Sequence, residues 1–141
     1  MKFEITPPEP FKFGARFSDY PALEQSVRNI GDQVIKSANG YVSIGEVERH
    51  VSLGETDGRI DDISINTLAP EDTFVGVSLS LRPIKFRNEL QKLGISTTGA
   101  PWDFKLNDSN LSFWAEEGEI AALTWGSPSP CLLYTSDAAD E

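Results

Sequence analysis

Two alternating apolar runs joined by a tight turn make up the segment Val51-Ser52-Leu53-Gly54-Glu55-Thr56-Asp57-Gly58-Arg59-Ile60-Asp61-Asp62-Ile63-Ser64-Ile65. Apolar and polar residues alternate on both sides of the turn, as they do in strands with one buried face. The Asp57-Gly58 pair is a strong signal for a hairpin, because glycine accepts a positive φ. The segment therefore predicts an antiparallel hairpin with Ile63 and Ile65 on its buried face.

A second segment with the same layout lies further along the chain. Leu111 and Phe113 precede Glu117-Gly118, and Ile120 and Leu123 follow it. Glu-Gly is a weaker turn signal than Asp-Gly, but the apolar residues on either side keep the same spacing. We therefore expect a second hairpin here, with Phe113 and Ile120 directed towards the core.

The segments that precede these hairpins have apolar residues at i, i+4 and i+7, which places them on one face of a helix. Proline stands where each helix would begin, and glycine follows the last apolar residue, as at helix termini. The pattern predicts helices at about 20–30 and 83–93. The apolar residues that these helices would bury are Leu23, Val27, Ile30, Phe86, Leu90 and Leu93.

Together the elements predict an α+β fold, with a largely antiparallel sheet and the two helices on one of its faces. The shared layout has two interpretations: an internal duplication of a helix-plus-hairpin unit, or a chance likeness of the kind common in α+β domains. The predicted strands, in chain order, are 3–5, 11–17, 41–53, 60–67, 73–79, 103–106, 110–115 and 120–125.

The chain has 141 residues and a formal net charge of −10. An acidic surface repels phosphate backbones, so we expect a basic protein as partner rather than nucleic acid. There is no apolar signal core at the N-terminus and no uncharged apolar run of ~18 residues, so we expect no membrane span and a cytoplasmic location. Residues 1–130 suit a single domain.

The last residues read Cys131-Leu132-Leu133-Tyr134-Thr135-Ser136-Asp137-Ala138-Ala139-Asp140-Glu141 and resemble the translation of a transposon-end sequencing adapter. The resemblance implies that 131–141 is a non-native tail, that the natural chain is interrupted near Pro130, and that the gene comes from a bacterial metagenomic assembly. Cys131 is the only cysteine, so the rest of the chain has no disulfide, thiolate nucleophile or cysteine metal site.

Few residues suit catalysis or metal binding. His50 is the only histidine, so a Ser–His–Asp arrangement would have to use it, and its pairing with Asp61 or Asp62 is the first catalytic arrangement to test. These two residues and the neighbouring Glu55 and Asp57 offer the oxygen ligands that Ca²⁺ prefers, but their spacing does not fit the EF-hand pattern. We therefore predict a solvated hairpin tip with no metal, no cofactor and no catalytic residues.

Binding to a partner has better candidates. Asp61 and Asp62 offer negative charge at a hairpin, where complementary charge would speed association. Trp102, Trp114 and Trp125 are candidate aromatic anchors, because aromatic side chains dominate binding interfaces. We predict these five residues as the partner-binding surface.

The tandem layout over residues 11–125 resembles that of the β-lactamase inhibitor proteins, and the small size and acidic charge resemble immunity proteins of polymorphic toxin systems. These resemblances imply a non-catalytic bacterial protein that binds a protein partner, as an immunity or inhibitor protein. Two alternatives stay open. One is a structural or oligomerising module, and the other is an enzyme with residues beyond the end of this chain.

Overall fold

The structure, a computed structural model, describes residues 1–127. In that range it contains eleven strands, one α-helix, α1 (Pro83–Lys92), and a short 3₁₀ helix (Phe17–Asp19). The predicted adapter tail, 131–141, lies outside the described residues. The strands are β1 (Lys2–Phe3), β2 (Glu24–Ile30), β3 (Gln33–Ile44), β4 (Val47–Thr56), β5 (Arg59–Ile65), β6 (Thr73–Phe74), β7 (Val77–Ser78), β8 (Thr97–Ala100), β9 (Asp103–Leu106), β10 (Leu111–Glu116) and β11 (Glu119–Gly126).

Eight of these strands form one antiparallel sheet in the order β2-β3-β4-β5-β11-β10-β9-β8. Two four-stranded meanders, β2 to β5 and β8 to β11, meet where β5 pairs with β11. The connection between the meanders contains β6, β7 and α1, and β6 also pairs with β1 in a small three-stranded sheet. Each meander therefore consists of an inner hairpin (β4–β5 or β10–β11) and an outer hairpin (β2–β3 or β8–β9).

The two inner hairpins have the same turn. Asp57-Gly58 has φ values of 53° and 77°, and Glu117-Gly118 has 52° and 80°. Two successive positive φ angles are the type I′ conformation that suits the twist of a hairpin. Each hairpin also has one ladder irregularity, after Gly54 in the first and after Trp114 in the second. The predicted hairpins at both turns are confirmed.

A pseudo-two-fold axis relates the inner hairpins. Ser64 on β5 lies opposite Thr124 on β11, and their hydroxyl oxygens are 2.8 Å apart. A two-fold rotation about this pair would place Ile63 on Leu123 and Ile65 on Trp125. The register agrees with such an axis, because Ile63 lies opposite Trp125 and Ile65 lies opposite Leu123. The centre of the sheet thus repeats one hairpin about an axis between Ser64 and Thr124.

The core lies between the large sheet and a layer formed by α1, the small sheet and the N-terminal segment. At its centre the Phe113 ring on β10 is 5.3 Å from that of Phe74, 5.2 Å from that of Phe86 and 5.1 Å from that of Phe104, measured between centroids. These rings come from the small sheet, α1 and the second outer hairpin. Aromatic packing of this kind stabilises the contact between the layers.

The predicted α+β class with two helices is wrong. Residues 24–30 form the edge strand β2, and in the described range α1 is the one α-helix. Val27 and Ile30 are 61% and 50% exposed, whereas a helix would have buried them. Gly31, with φ of 59°, begins the two-residue turn between β2 and β3 instead of ending a helix. The result is a mostly β protein with a single helix against its sheet.

The predicted helix at 83–93 is confirmed as α1. Pro83 occupies its first turn, where no N–H is required, and Gly94, with φ of 82°, follows its C-cap. Phe86 and Leu90 are buried, but Leu93 is 57% exposed, so its predicted place in the core is wrong. No helix within residues 1–127 combines the length and the apolar character needed to cross a membrane.

A buried ion pair ties the connection between the meanders to β4. Arg49 on β4 and Asp72 before β6 are both fully buried, with Arg49 Nη2 2.9 Å from Asp72 Oδ1. Arg49 also donates to the carbonyl oxygens of Ile44 and Thr67, and the Ala69 N–H donates to Asp72. All three guanidinium nitrogens of Arg49 and both carboxylate oxygens of Asp72 therefore have hydrogen-bond partners, as buried charges need.

Candidate functional site: an acidic cleft between two hairpins

The structure places Asp61 and Asp62 together near the tip of the first inner hairpin, as the sequence predicts. Asp62 lies opposite Gly54 and packs against it, since a Cβ at Gly54 would lie 3.2 Å from Asp62 Cβ and 3.6 Å from Asp62 Oδ2. Asp61 accepts a hydrogen bond of 2.5 Å from Thr56 Oγ1, which fixes its carboxylate across the turn. Both side chains border an open cleft.

This cleft has a volume of about 680 Å³ and separates the tip of the first inner hairpin from the end of the first outer hairpin. One wall is the start of β3 and the other is the β4–β5 turn with its flanking residues. The lining residues are Gln33, Val34, Ile35, Lys36, Gly54, Glu55, Thr56, Asp57, Gly58, Asp61 and Asp62.

The wall formed by β3 offers a free backbone edge. Pairing between β3 and β4 stops at Ser37 and Gly54, next to the irregularity at which Asp61 is an extra residue in β5. Residues 33–36 still pair with β2 on their other side. The Ile44–Val47 pair flanks a two-residue turn and is therefore hydrogen-bonded. Every second residue of β3 counted back from Ile44 has its N–H and C=O groups on the side of β4. Val34 and Lys36 belong to this series, and because β4 is no longer paired there, their N–H and C=O groups point into the cleft.

The cleft is strongly negative. Its lining contains four carboxylates, those of Glu55, Asp57, Asp61 and Asp62, and one ammonium group, that of Lys36. Partial burial raises the pKa of Asp62, and the neighbouring charge of Asp61 raises it further. Both effects disfavour the negatively charged form of Asp62, burial more than the charge of Asp61. A positively charged ligand would relieve that repulsion.

Trp102 lies elsewhere, in the turn of the second outer hairpin. It is 58% exposed and lines a smaller groove of about 360 Å³. The other lining residues are Arg82, Pro83, Ile84, Pro101, Ala115, Glu117 and Gly118. Each of the two clefts thus lies where an inner hairpin tip meets an outer hairpin, but the start of α1 occupies part of the second one.

The remaining two tryptophans differ from each other. Trp114 is 43% exposed on the open face of the sheet, and its Nε1 donates to Glu116 Oε1 at 2.9 Å. Trp125 is 1% exposed, and its Nε1 donates to the carbonyl oxygen of Glu4 at 3.0 Å. Trp125 therefore fills the core, and its side chain is not exposed to a partner.

In the part of the chain that the structure describes, His50 forms no ion pair with a carboxylate. Its Nδ1 is 2.9 Å from Asn66 Nδ2, and its ring meets the edge of Tyr41 at a centroid distance of 5.3 Å. His50 and Gly54 are four residues apart on β4, and Asp62 is opposite Gly54, so about 13 Å of strand separates His50 from Asp62. The predicted arrangement of His50 with Asp61 or Asp62 does not form.

Sequence reasoning missed Val34 and Ile35, which supply the apolar part of the cleft. Gly31-Asp32 between β-branched residues is a hairpin signal, and it would have placed 33–36 on a strand.

In the part of the chain that the structure describes, no group of three or more His, Cys, Asp or Glu residues is placed to hold a metal ion. No protein-family model, curated protein or solved structure matches this chain.

Proposed function

We propose that this protein is a binding module that captures an extended, positively charged segment of a protein partner in the acidic cleft. The observation that carries the proposal is the free backbone edge of residues 33–36, which faces four carboxylates across an open space. A strand that adds to such an edge gains main-chain hydrogen bonds, and alternate side chains supply specificity.

The side chains of the cleft suit a ligand that alternates cationic and apolar residues. Lys or Arg side chains on one face of the added strand would reach Asp61 and Asp62, and the apolar side chains on its other face would cover Val34, which points away from the Asp62 face. Val34 is 59% exposed in the free protein, so covering it is favourable. The net charge of −10 would also steer a basic partner towards the chain.

An immunity or inhibitor protein is the biological role that we infer for such a module. In that role the cleft would hold a basic segment at the active site of a partner enzyme. The arrangement requires charge and shape from this chain but no catalytic group, and among residues 1–127 His50 forms no ion pair with a carboxylate.

The binding proposal can be tested with a labelled peptide of alternating lysine and valine and a matched peptide of alternating glutamate and valine. Fluorescence anisotropy should show saturable binding of the lysine peptide alone, weakening with added salt. Binding should also weaken on acidification, because the raised pKa of Asp62 means that it loses its charge at a higher pH than an ordinary aspartate. Equal binding of both peptides, or none, would contradict the proposal.

Two double variants locate the site. Asp61→Asn with Asp62→Asn should weaken binding of the lysine peptide roughly tenfold, since two partly exposed charge contacts are lost. Glu117→Gln with Glu119→Gln removes the same charge from the tip of the second inner hairpin and should leave the affinity unchanged. If both double variants lose affinity equally, the attraction is a general effect of net charge and the cleft is not the site.

A further inference from the structure

The two edges of the large sheet differ in how they are protected. β8 has four residues, and Arg87 of α1 covers it by donating to Thr97 Oγ1 at 2.9 Å and to the carbonyl oxygens of Gly99 and Ala100 at 3.3 and 3.4 Å. β2 has seven residues, all exposed, and contains neither proline nor a ladder irregularity. Natural proteins usually block a long edge strand, so an open one indicates a partner strand.

The backbone of β2 is oriented for such pairing. Ile30 and Gln33 flank the two-residue turn at Gly31-Asp32 and therefore form a hydrogen-bonded pair. By alternation Gln25, Val27 and Asn29 direct their N–H and C=O groups away from β3. These groups form a regular row of donors and acceptors along the free edge.

We propose that β2 pairs in antiparallel fashion with β2 of a second copy of this chain, on a two-fold axis at Ser26, so that the two large sheets become continuous. In this register Glu24 of each copy lies opposite Arg28 of the other, which gives two cross-strand ion pairs. Neither side chain forms an ion pair with any described residue of its own chain. Opposite charges directly across a pair of strands stabilise the pairing, and like charges oppose it.

The side chains select this register over its neighbours. An axis at Val27 would place Glu24 opposite Ile30 and leave the charges unmatched, and an axis at Arg28 would bring two guanidinium groups together. With the axis at Ser26, Val27 lies opposite Gln25, and the Val27 side chains of the two copies are diagonal neighbours on one face. Val27 is 61% exposed in the single chain, so this contact removes apolar surface from water.

Sedimentation equilibrium of the full chain, with reductant to keep Cys131 from forming disulfides, tests the proposal. The unaltered protein should show a reversible monomer–dimer equilibrium. Glu24→Arg and Arg28→Glu should each weaken association roughly tenfold or more, because both cross-strand contacts become like-charge pairs. An equimolar mixture of these two variants should associate again, and the double variant with both changes should recover the dimer.

A second variant addresses the backbone. Val27→Pro removes an N–H that points to the free edge and breaks no hydrogen bond to β3, so it should abolish the dimer while circular dichroism shows the fold intact. A protein that stays monomeric at every concentration would overturn the proposal. So would single charge variants that dimerise as tightly as the unaltered chain, or a mixture of them that does not associate. The acidic cleft lies on the other side of the β2–β3 hairpin, so Asp61→Asn with Asp62→Asn should dimerise normally.

Discussion

At the scale of single residues, the buried Arg49–Asp72 pair is the most consequential polar feature. Asp72 receives hydrogen bonds from Arg49, from the Ala69 N–H and from the ammonium group of Met1 at 3.1 Å. Burial alone raises the pKa of Asp72, but these donors together hold it below its ordinary value of 3.8. Arg49 also lies over the Phe3 ring, 5.3 Å from its centroid. One carboxylate thus joins the N-terminal segment, β4 and the connection between the meanders.

Replacing Asp72 by asparagine should leave the Arg49 charge buried without a counter-charge. We expect Asp72→Asn to lower the free energy of unfolding by about 3–5 kcal/mol, measured by urea titration at neutral pH. Glu89→Gln is the matched control, since it removes the exposed pair with Lys92 and should have no measurable effect. Equal effects of the two changes would show that the buried pair has no special role.

The same pair gives the stability a defined dependence on pH. The pKa of Asp72 is lower in the folded state than in the unfolded state, so its contribution is fully present above 3.8 and is lost as the pH falls through the folded-state pKa. The difference in stability between the unaltered protein and Asp72→Asn should therefore shrink on acidification. A difference that grows towards low pH would contradict this account.

At the scale of elements, only some of the apolar residues on the predicted core face of α1 are buried. Phe86 and Leu90 are 0% exposed, and the Phe86 ring contacts those of Phe74, Phe104 and Phe113. Leu93 continues the i, i+4, i+7 series but is the C-cap residue, one position after α1 ends at Lys92. The chain leaves the helical path there, so Leu93 turns towards water.

Alanine substitutions along α1 should reflect this division. Phe86→Ala should lower the free energy of unfolding by about 3–5 kcal/mol, because it removes a ring from a packed cluster. Leu93→Ala should change it by less than about 0.5 kcal/mol, as expected at an exposed position. Chemical denaturation of both variants provides the comparison, and a loss at Leu93 close to that at Phe86 would mean that another surface covers Leu93.

At the scale of the whole molecule, the pseudo-two-fold axis orders the structure from centre to edge. β5 and β11 pair with each other across the axis, and each has a second neighbour on its other side, β4 for β5 and β10 for β11. The layer of α1 and the small sheet covers one face of this centre. The outer hairpins are the parts of the large sheet furthest from the axis, and the first extends beyond the core.

Amide hydrogen exchange should follow this order. The amides of β5 and β11 should exchange slowest, through global unfolding, whereas residues 33–36 and β8 should exchange faster, through local opening. Nuclear magnetic resonance can resolve these groups residue by residue. Uniform protection across the eight strands would contradict a centre-to-edge order, and slow exchange at 33–36 would mean that the cleft is covered in solution.

Local patterns were sufficient for the inner hairpins and for α1. Asp57-Gly58 and Glu117-Gly118 have few alternatives to a tight turn between alternating strands, and Pro83 and Gly94 delimit a helix whose Phe86 faces the core. In these segments the turn residues and the apolar spacing favour the same structure.

The segment at 20–30 shows the opposite case. Leu23, Val27 and Ile30 fit a helical period, but the spacing is shared by many sequences and only Leu23 is buried. The β-branched residues around Gly31-Asp32 favoured a hairpin, and pairing with β3 satisfied the backbone groups of every second residue of β2. The apolar spacing alone could not decide between a helix and a strand here. A helix in a folded protein is stabilised mainly by packing of its apolar face against other elements, and the spacing does not show whether such a surface is present.

The candidate site divides in the same way. The Asp57-Gly58 turn predicted the hairpin that carries Asp61 and Asp62, and both residues follow this turn on β5. Their approach to residues 33–36, the burial of Trp125 and the distance between His50 and Asp62 depended on strand order and register. Those follow from long-range pairing between strands, and no local pattern in this chain specifies which strands become neighbours.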